Sequence, residues 1–289
     1  MLLTGKPLIV ITGPTSVGKT GYSVKIAQAI GGEILGADSR QIYRYMDIGT
    51  AKPTDSERAM IKHHLIDLVL PDENLSLAQY QRAATEVIAD LHQRGQIPIL
   101  VGGTAQYLTA ISEGWTIPEV PPNEQIRAEL EQFAAEHGSQ ALFARLHAVD
   151  PQAAAKIEHH QNVRRVVRAL EVYLETGTPI SDLQRRVPPD YTILTYVLTM
   201  ARERLYQRAD HRVDQMIEAG FLGEVRRLLT MGYDRSLPSM SGLGYAQLAA
   251  HLLDGIGLDQ AIQETKLATH AYIRRQYTWF RKYNQSHQW

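Results

Sequence analysis

Residues 13 to 20 read Gly13-Pro14-Thr15-Ser16-Val17-Gly18-Lys19-Thr20, directly after the apolar run Leu8-Ile9-Val10-Ile11. This is a complete G-x-x-x-x-G-K-[ST] spacing in the strand-then-helix setting that makes it a phosphate cradle. Glycines at 13 and 18 let the backbone curl until successive amides point into one concavity. The N-terminus of the following helix adds its positive end, and Lys19 adds a full charge. The Thr20 hydroxyl is placed to hold Mg²⁺. Such a nest selects a polyphosphate or a pyrophosphate.

Other reactive side chains stand near the ends of apolar runs. Asp38 ends the run Glu33-Ile34-Leu35-Gly36-Ala37 and suits indirect support of a metal, a general base, or a plain cap of the next turn. Residues 39–53 are too polar and aromatic for core and are expected to form a substrate-facing loop. Gly102-Gly103-Thr104 follows Ile97-Pro98-Ile99-Leu100-Val101, where paired glycines allow either a close ligand or a tight turn. That run lacks a terminal Asp, which argues against a motor or switch ATPase. Arg204, Arg208 and Arg212 recur every four residues and form one stripe, either an anion site or a solvated face. His63 and His64, being adjacent, diverge and are taken as strand-edge residues rather than metal ligands. The aromatics at 277, 279, 280 and 283 suit base stacking or core filling.

The elements that must position these groups are legible as a pattern. Strands are expected at 7–12, 33–37, 64–69 and 97–101, with helices at 18–30 and 76–94. This alternation predicts an α/β fold, a P-loop NTPase-like parallel sheet flanked by helices, with ligands outside the carboxyl ends of the strands. Pro118, Pro121 and Pro122 interrupt the chain, and Val187-Pro188-Pro189 interrupts it again. Between them lies an expected all-helical insertion domain, 119–187. The catalytic core is then 1–118 with 188–289, rejoined by a strand over 191–198 and helices over 202–219, 221–231, 243–254 and 260–284.

At 289 residues the chain can bury one large core or a core with a smaller second domain. A hydrophobic content of 44% with 21% charged residues is that of an ordinary globular enzyme, and zero cysteines exclude disulfides and Cys-based zinc. No cleavable leader or membrane-length apolar run is found, so a cytoplasmic location is expected. The net charge of −1 conceals local basic runs at 164–168 and 274–283.

Ala37-Asp38-Ser39-Arg40-Gln41-Ile42-Tyr43 followed by Met46-Asp47-Ile48-Gly49-Thr50-Ala51-Lys52-Pro53 resembles the signature of the tRNA dimethylallyltransferases, also called isopentenyl-tRNA transferases. The P-loop, Val101-Gly102-Gly103-Thr104, Arg168-Ala169-Leu170-Glu171-Val172 and Arg275-Gln276-Tyr277-Thr278-Trp279-Phe280-Arg281 match in the same order, so the resemblance spans nearly the whole chain. Ala246-Gln247 replaces the usual charged pair after Gly-Tyr, and Ile273-Arg274 stands where Ala-Lys is common. With no zinc-binding tail after Trp279, the bacterial type is expected.

The resemblance implies transfer of a dimethylallyl group from dimethylallyl diphosphate to the exocyclic amine of the adenosine 3′-adjacent to the anticodon. It implies that the P-loop, residues 13–20, holds the donor's diphosphate, with Lys19, Thr20 and Arg212 in contact and Mg²⁺ at Thr20. Asp38 would take the amine proton. Asp38, Ser39, Arg40, Gln41, Thr104, Arg127, Arg164, Arg165 and Arg168 would contact the tRNA anticodon stem-loop, and the enzyme is expected to act as a monomer without a membrane. A P-loop kinase of a small metabolite and a non-catalytic RNA-binding ATPase remain open on the residues alone.

Overall fold

Strands that are apolar on both faces cannot present either to water, and this sequence supplies three of mostly apolar residues in which nearly every position is buried. In the computed structural model, which describes residues 5–157 and 160–286 and side chains as far as Phe280, they become the middle of a parallel sheet. The first half of the chain runs β1 (Pro7–Thr12), α1 (Lys19–Ile30), β2 (Gly32–Ala37), α2 (Asp55–Met60), β3 (His63–His64), α3 (Leu77–Gln93), β4 (Ile97–Gly102) and α4 (Ala105–Ser112). Five short helices follow: α5 (Glu124–His137), α6 (Ser139–Val149), α7 (Pro151–Ile157), α8 (Val163–Thr176) and α9 (Ile180–Leu183). The chain ends with β5 (Thr192–Val197), α10 (Arg202–Glu218), α11 (Phe221–Thr230), α12 (Tyr245–Asp254) and α13 (Leu258–Ser286).

The sheet order is β3-β2-β4-β1-β5, parallel throughout. Side chains alternate between its faces. Leu8 and Val10 of β1 join Leu35, Leu100 and residues of α3, α4, α11 and α12 on one side. Ile9 and Ile11 join Ile34, Ile99 and the Val24 and Ala27 face of α1 on the other.

Two expectations are corrected here. Residues 64–69 do not form a strand: β3 is only His63–His64, the short edge of the sheet. Leu65 and Asp67 take positive φ (63° and 57°), which turns the chain back along the loop before it. There Asp67 and Val69 donate to the Gln41 and Ile42 carbonyls, and Arg44 donates to that of Val69. The loop 39–53 is also not wholly a polar surface, because Ile42, Tyr43 and Met46 are buried in the main core. Helices α2 and α4 were not expected; a capping box between Thr54 and Glu57 starts α2.

The chain divides into two compact units, 1–112 with 190–289, and Glu113–Pro189. The short stretch before Pro118 belongs to the second unit because its backbone pairs there. Thr116 donates to the Arg185 carbonyl and Val187 to that of Gly114, both at 2.8 Å. That unit has its own core around Leu142, Leu146, Val166 and Leu170.

One carboxylate organises the helical unit. Glu171 is fully buried and accepts from the Arg127 Nε at 2.8 Å, the Arg168 Nη1 at 2.6 Å and the Asn123 amide at 2.8 Å. Burial pushes its pKa up, but the two guanidiniums and the amide outweigh that and hold it below the ordinary carboxylate value. Its stabilising effect is therefore present above the unfolded-state pKa and lost as pH falls through the lower folded value. Glu171→Gln should cost on the order of 2 kcal/mol at neutral pH, less than the ~3–5 of a fully enclosed pair because both arginines are part-exposed. Urea unfolding should show this gap closing in acid.

Candidate active site

A helix whose first turn lacks a side-chain cap leaves N–H donors for something else. Helices α2, α3 and α5 are capped by their own Thr54, Ser76 and Asn123 oxygens, whereas α1 begins after Gly18 (φ 104°) with no side-chain cap. This helix start and the preceding loop line the cavity at the place where residues 13–20 predict an anion nest. Gly13 (φ 147°) cannot be replaced, since a Cβ there would lie 2.5 Å from the Leu198 carbonyl oxygen beyond β5. The Lys19 ammonium donates to the Gly13 and Pro14 carbonyls, both at 2.9 Å. Burial draws its pKa down to about 8; Asp38 opposes that and Arg212 reinforces it.

The loop is braced from the far end of the chain. The Gln276 Oε1 of α13 accepts from the Thr15 amide at 2.9 Å, and its Nε2 donates to the Gly103 carbonyl at 3.3 Å. The paired glycines after β4 are explained by packing: a Cβ on Gly102 would strike the Ala37 carbonyl, and one on Gly103 would lie 2.7 Å from the Gln276 amide. Thr104 accepts from the Ser39 amide at 2.9 Å, joining the ends of β4 and β2.

Asp38 takes the capping role foreseen for it and also faces a cavity. Its Oδ1 caps the turn by accepting from the Arg40 amide at 2.9 Å, and its carboxylate lines a cavity of about 410 Å³ together with Thr15, Ser16, Lys19 and Thr20. Arg208 and Arg212 of α10 line the same cavity, while Arg204 is exposed outside it, so the expected stripe contributes two residues. The Arg212 guanidinium is held below its ordinary pKa by burial, against the pull of Asp38 and with the push of Arg208.

The cavity changes character along its length. Arg208 lies beside Gly18, its Nη2 3.6 Å from where a Cβ would stand. From Arg208 to Met216, α10 advances about 12 Å at the usual 1.5 Å per residue. The lining passes from Arg208 and Arg212 to Val213, Met216, Phe221 and Leu243. Helix α13 runs antiparallel alongside, with His270 on Asp210 and Lys266 on Asp214, and contributes Thr269 and then Thr265 to the lining.

The apolar end is tightly fixed. Glu224, buried on α11, accepts from the consecutive amides of Asp47, Ile48 and Gly49 at 2.9, 2.8 and 3.2 Å and from the Tyr245 hydroxyl at 2.6 Å. Lys52, also buried, pairs with Asp47 and Asp67. Gln41 donates to the Thr50 and Ala51 carbonyls at 3.2 and 3.1 Å. These ties turn the 41–52 segment into a wall of the cavity.

The remaining expected nucleic-acid contacts divide. Arg164 and Arg165 are exposed on α8 and have no ion pair among the described residues. Arg127 and Arg168 are engaged by Glu171, and Arg40 donates to the Pro238 carbonyl at 2.7 Å. Of the terminal aromatics, Tyr277 donates to the Met200 carbonyl and Phe280 is buried against Trp279, which favours core filling. The Arg281 and Tyr283 side chains lie outside the described residues.

The model of the family described as IPP transferase matches residues 41–283. The chain belongs to this family. Its relatives include proteins named tRNA dimethylallyltransferase from Roseiflexus sp., 55% identical over 96% of this chain and 90% of that protein, and from Chloroflexus aggregans, 54% identical over 95% and 93%. Among solved structures, the tRNA isopentenylpyrophosphate transferase of Bacillus halodurans is 42% identical, with a TM-score of 0.69 over 96% of this chain and 87% of that one. A eukaryotic dimethylallyltransferase described as acting on tRNA gives a TM-score of 0.79 at 30% identity, covering 95% and 69%. The small-metabolite kinase gains no support from these IPP transferase relatives.

Three residues of this IPP transferase site were not assigned a role from sequence. Gln276 sat in a quoted run with nothing local to mark its partner. Glu224 carried a usable signal, being a carboxylate on the same helical face as Phe221, Val225 and Leu228. Phe221 read simply as the start of a helix.

Inorganic pyrophosphate, titrated calorimetrically, should bind less tightly as pH rises through about 8, where Lys19 of the free protein loses its proton. Lys19→Met should weaken binding roughly tenfold or more at neutral pH, the scale of a charged hydrogen bond, and flatten that limb. A limb that persists unchanged in the variant belongs to the ligand instead.

Proposed function

We propose that this chain transfers a dimethylallyl group from dimethylallyl diphosphate to N6 of the adenosine 3′-adjacent to the anticodon in tRNA. The observation that carries the assignment is one cavity with a cationic phosphate nest at one end, apolar side chains at the other and Asp38 in its wall. A prenyl diphosphate has that same division.

The exocyclic amine of adenine is a poor nucleophile because its lone pair delocalises into the ring. Asp38 accepts one N6 proton as the nitrogen attacks C1 of the donor. The new N–C1 bond replaces the C1–O bond, whose electron pair leaves with the diphosphate. Lys19, Arg208, Arg212 and the uncapped donors of α1 meet the growing charge on that leaving group. The base must be drawn out of its stack to reach Asp38.

The oxygen donors at the nest suit Mg²⁺. Thr20 presents a hydroxyl and Asp38 a carboxylate to the same cavity, and a hard cation that keeps much of its water needs few protein ligands. Thr20 would hold the ion, which when bound adds positive charge against the diphosphate. On the nucleic-acid side, Arg164 and Arg165 supply exposed charge on α8. Ser39, Arg40, Gln41 and Thr104 shape the acceptor's approach, and Arg127 and Arg168 contribute through their exposed flanks. The salt dependence of binding should fall accordingly when Arg164 and Arg165 are replaced.

Incubation with labelled dimethylallyl diphosphate and unmodified tRNA should give one prenylated adenosine in the nucleoside digest. Asp38→Asn should lower kcat about 10²–10⁴-fold, the usual contribution of a general base, with the donor KM little changed. Failure to label any tRNA bearing adenosine at that position would sink the assignment.

A further inference from the structure

Phe221 lines the cavity from a slot that two glycines create. A Cβ on Gly49 would lie 2.2 Å from the Phe221 ring, and one on Gly244 would lie 2.4 Å from its opposite edge. The ring is 1% exposed and stands edge-on to Tyr245, with centroids 4.9 Å apart. Neither flank can move easily. Gly49 is fixed by the Glu224 carboxylate, which also holds the Tyr245 hydroxyl, and Gly244 donates to the Gln247 Oε1 at 2.9 Å as α12 begins. Phe221 is therefore a rigid part of the wall of the cavity that also holds the phosphate nest.

We propose that Phe221 sets the length of the prenyl chain, admitting a single isoprene unit and excluding longer allylic diphosphates. This rests on the donor assignment above and deepens it. With the diphosphate on Lys19, Arg208 and Arg212, and C1 facing Asp38, a tail that follows α10 along the wall passes Val213 and Met216 toward the Phe221 ring. A second isoprene unit would have to enter the volume of that ring. A packed interior resists such overfilling, because its walls do not part by a methylene without forcing neighbours off their preferred geometry. Removing the ring opens the slot between Gly49 and Gly244 back to Tyr245. The reaction on the longer donor is otherwise the same: N6 bonds to C1, diphosphate leaves with the C1–O electron pair, and Asp38 takes the proton.

The test sets dimethylallyl diphosphate against geranyl diphosphate in competition for one tRNA, with products resolved by nucleoside mass, for the wild type, Phe221→Leu and Phe221→Ala. The wild type should give almost only the dimethylallyl product. Phe221→Ala should raise the geranyl-to-dimethylallyl ratio of kcat/KM about tenfold or more, the scale on which apolar volume discriminates substrates, with Phe221→Leu between the two. If Phe221→Ala does not fold, the inhibition constant of geranyl diphosphate against dimethylallyl transfer, compared between wild type and Phe221→Leu, reads the same slot and should fall in the variant. A ratio unchanged in folded variants, or equal loss of both donors, would show the ring to be structural only and overturn the proposal. A wild type that transfers neither donor would instead overturn the donor assignment itself, and the length limit with it.

Discussion

Three cations face one cavity whose described lining contains a single carboxylate, and that imbalance governs the site. Lys19, Arg208 and Arg212 come from α1 and α10, and Asp38 from the end of β2. Burial and mutual repulsion depress both Lys19 and Arg212, and Asp38 counteracts this only in part. In the free protein Lys19 leans on two carbonyls of its own loop, a substitute for a stronger acceptor. A multiply charged anion relieves all of these costs together. The parallel sheet makes this possible by delivering the P-loop, Asp38 and Gly103 from neighbouring strands at the same carboxyl edge.

Loops carry these groups, and loops are ordinarily mobile. Here buried polar side chains remove that freedom. Gln276 ties the nest to the end of β4, Glu224 collects three successive amides of the 47–49 turn, and Lys52 draws in Asp47 and Asp67. Hydrogen bonds to charged groups are worth about 1.5–3 kcal/mol each, and leaving one partner buried alone costs comparably. The geometry of the cavity therefore depends on residues that do not touch its contents.

What was legible in the sequence follows from the range of each interaction. The nest from Gly13 to Thr20 is a local backbone pattern, as are the buried strands and the helices between them, so spacing alone exposes them. The braces are different in kind. Thr15 and Gln276 are separated by 261 positions, and no periodicity links them. The run 64–69 has strand composition, but Asp67 is claimed by Lys52 and Arg58, and positive φ at Leu65 and Asp67 removes it from the sheet. The charges on Arg127 and Arg168 were visible. Their use was not, although Glu171 three residues after Arg168, on the buried side of α8, is the sign that part of that charge is spent inside the unit. Composition shows what a residue carries, and only packing shows where it is directed.

The two ends of the cavity solve different halves of one chemical problem. Cations that help diphosphate depart from an allylic carbon help it depart toward water as readily as toward an amine. Selectivity must then come from what surrounds that carbon, and the wall beyond Arg212 includes Val213, Met216, Leu243 and a Phe221 ring packed without slack. The acceptor side is connected to the same wall. Arg40, two residues after Asp38, is fastened to the carbonyls of Pro238 and Ser239, and the chain reaches the lining residue Leu243 only a few positions later. The turn that carries Asp38 and the wall that carries Leu243 thus share one anchor. Under the proposed assignment, proton acceptor, leaving-group site and tail pocket are held as one set, which suits a reaction whose competing nucleophile is the solvent itself.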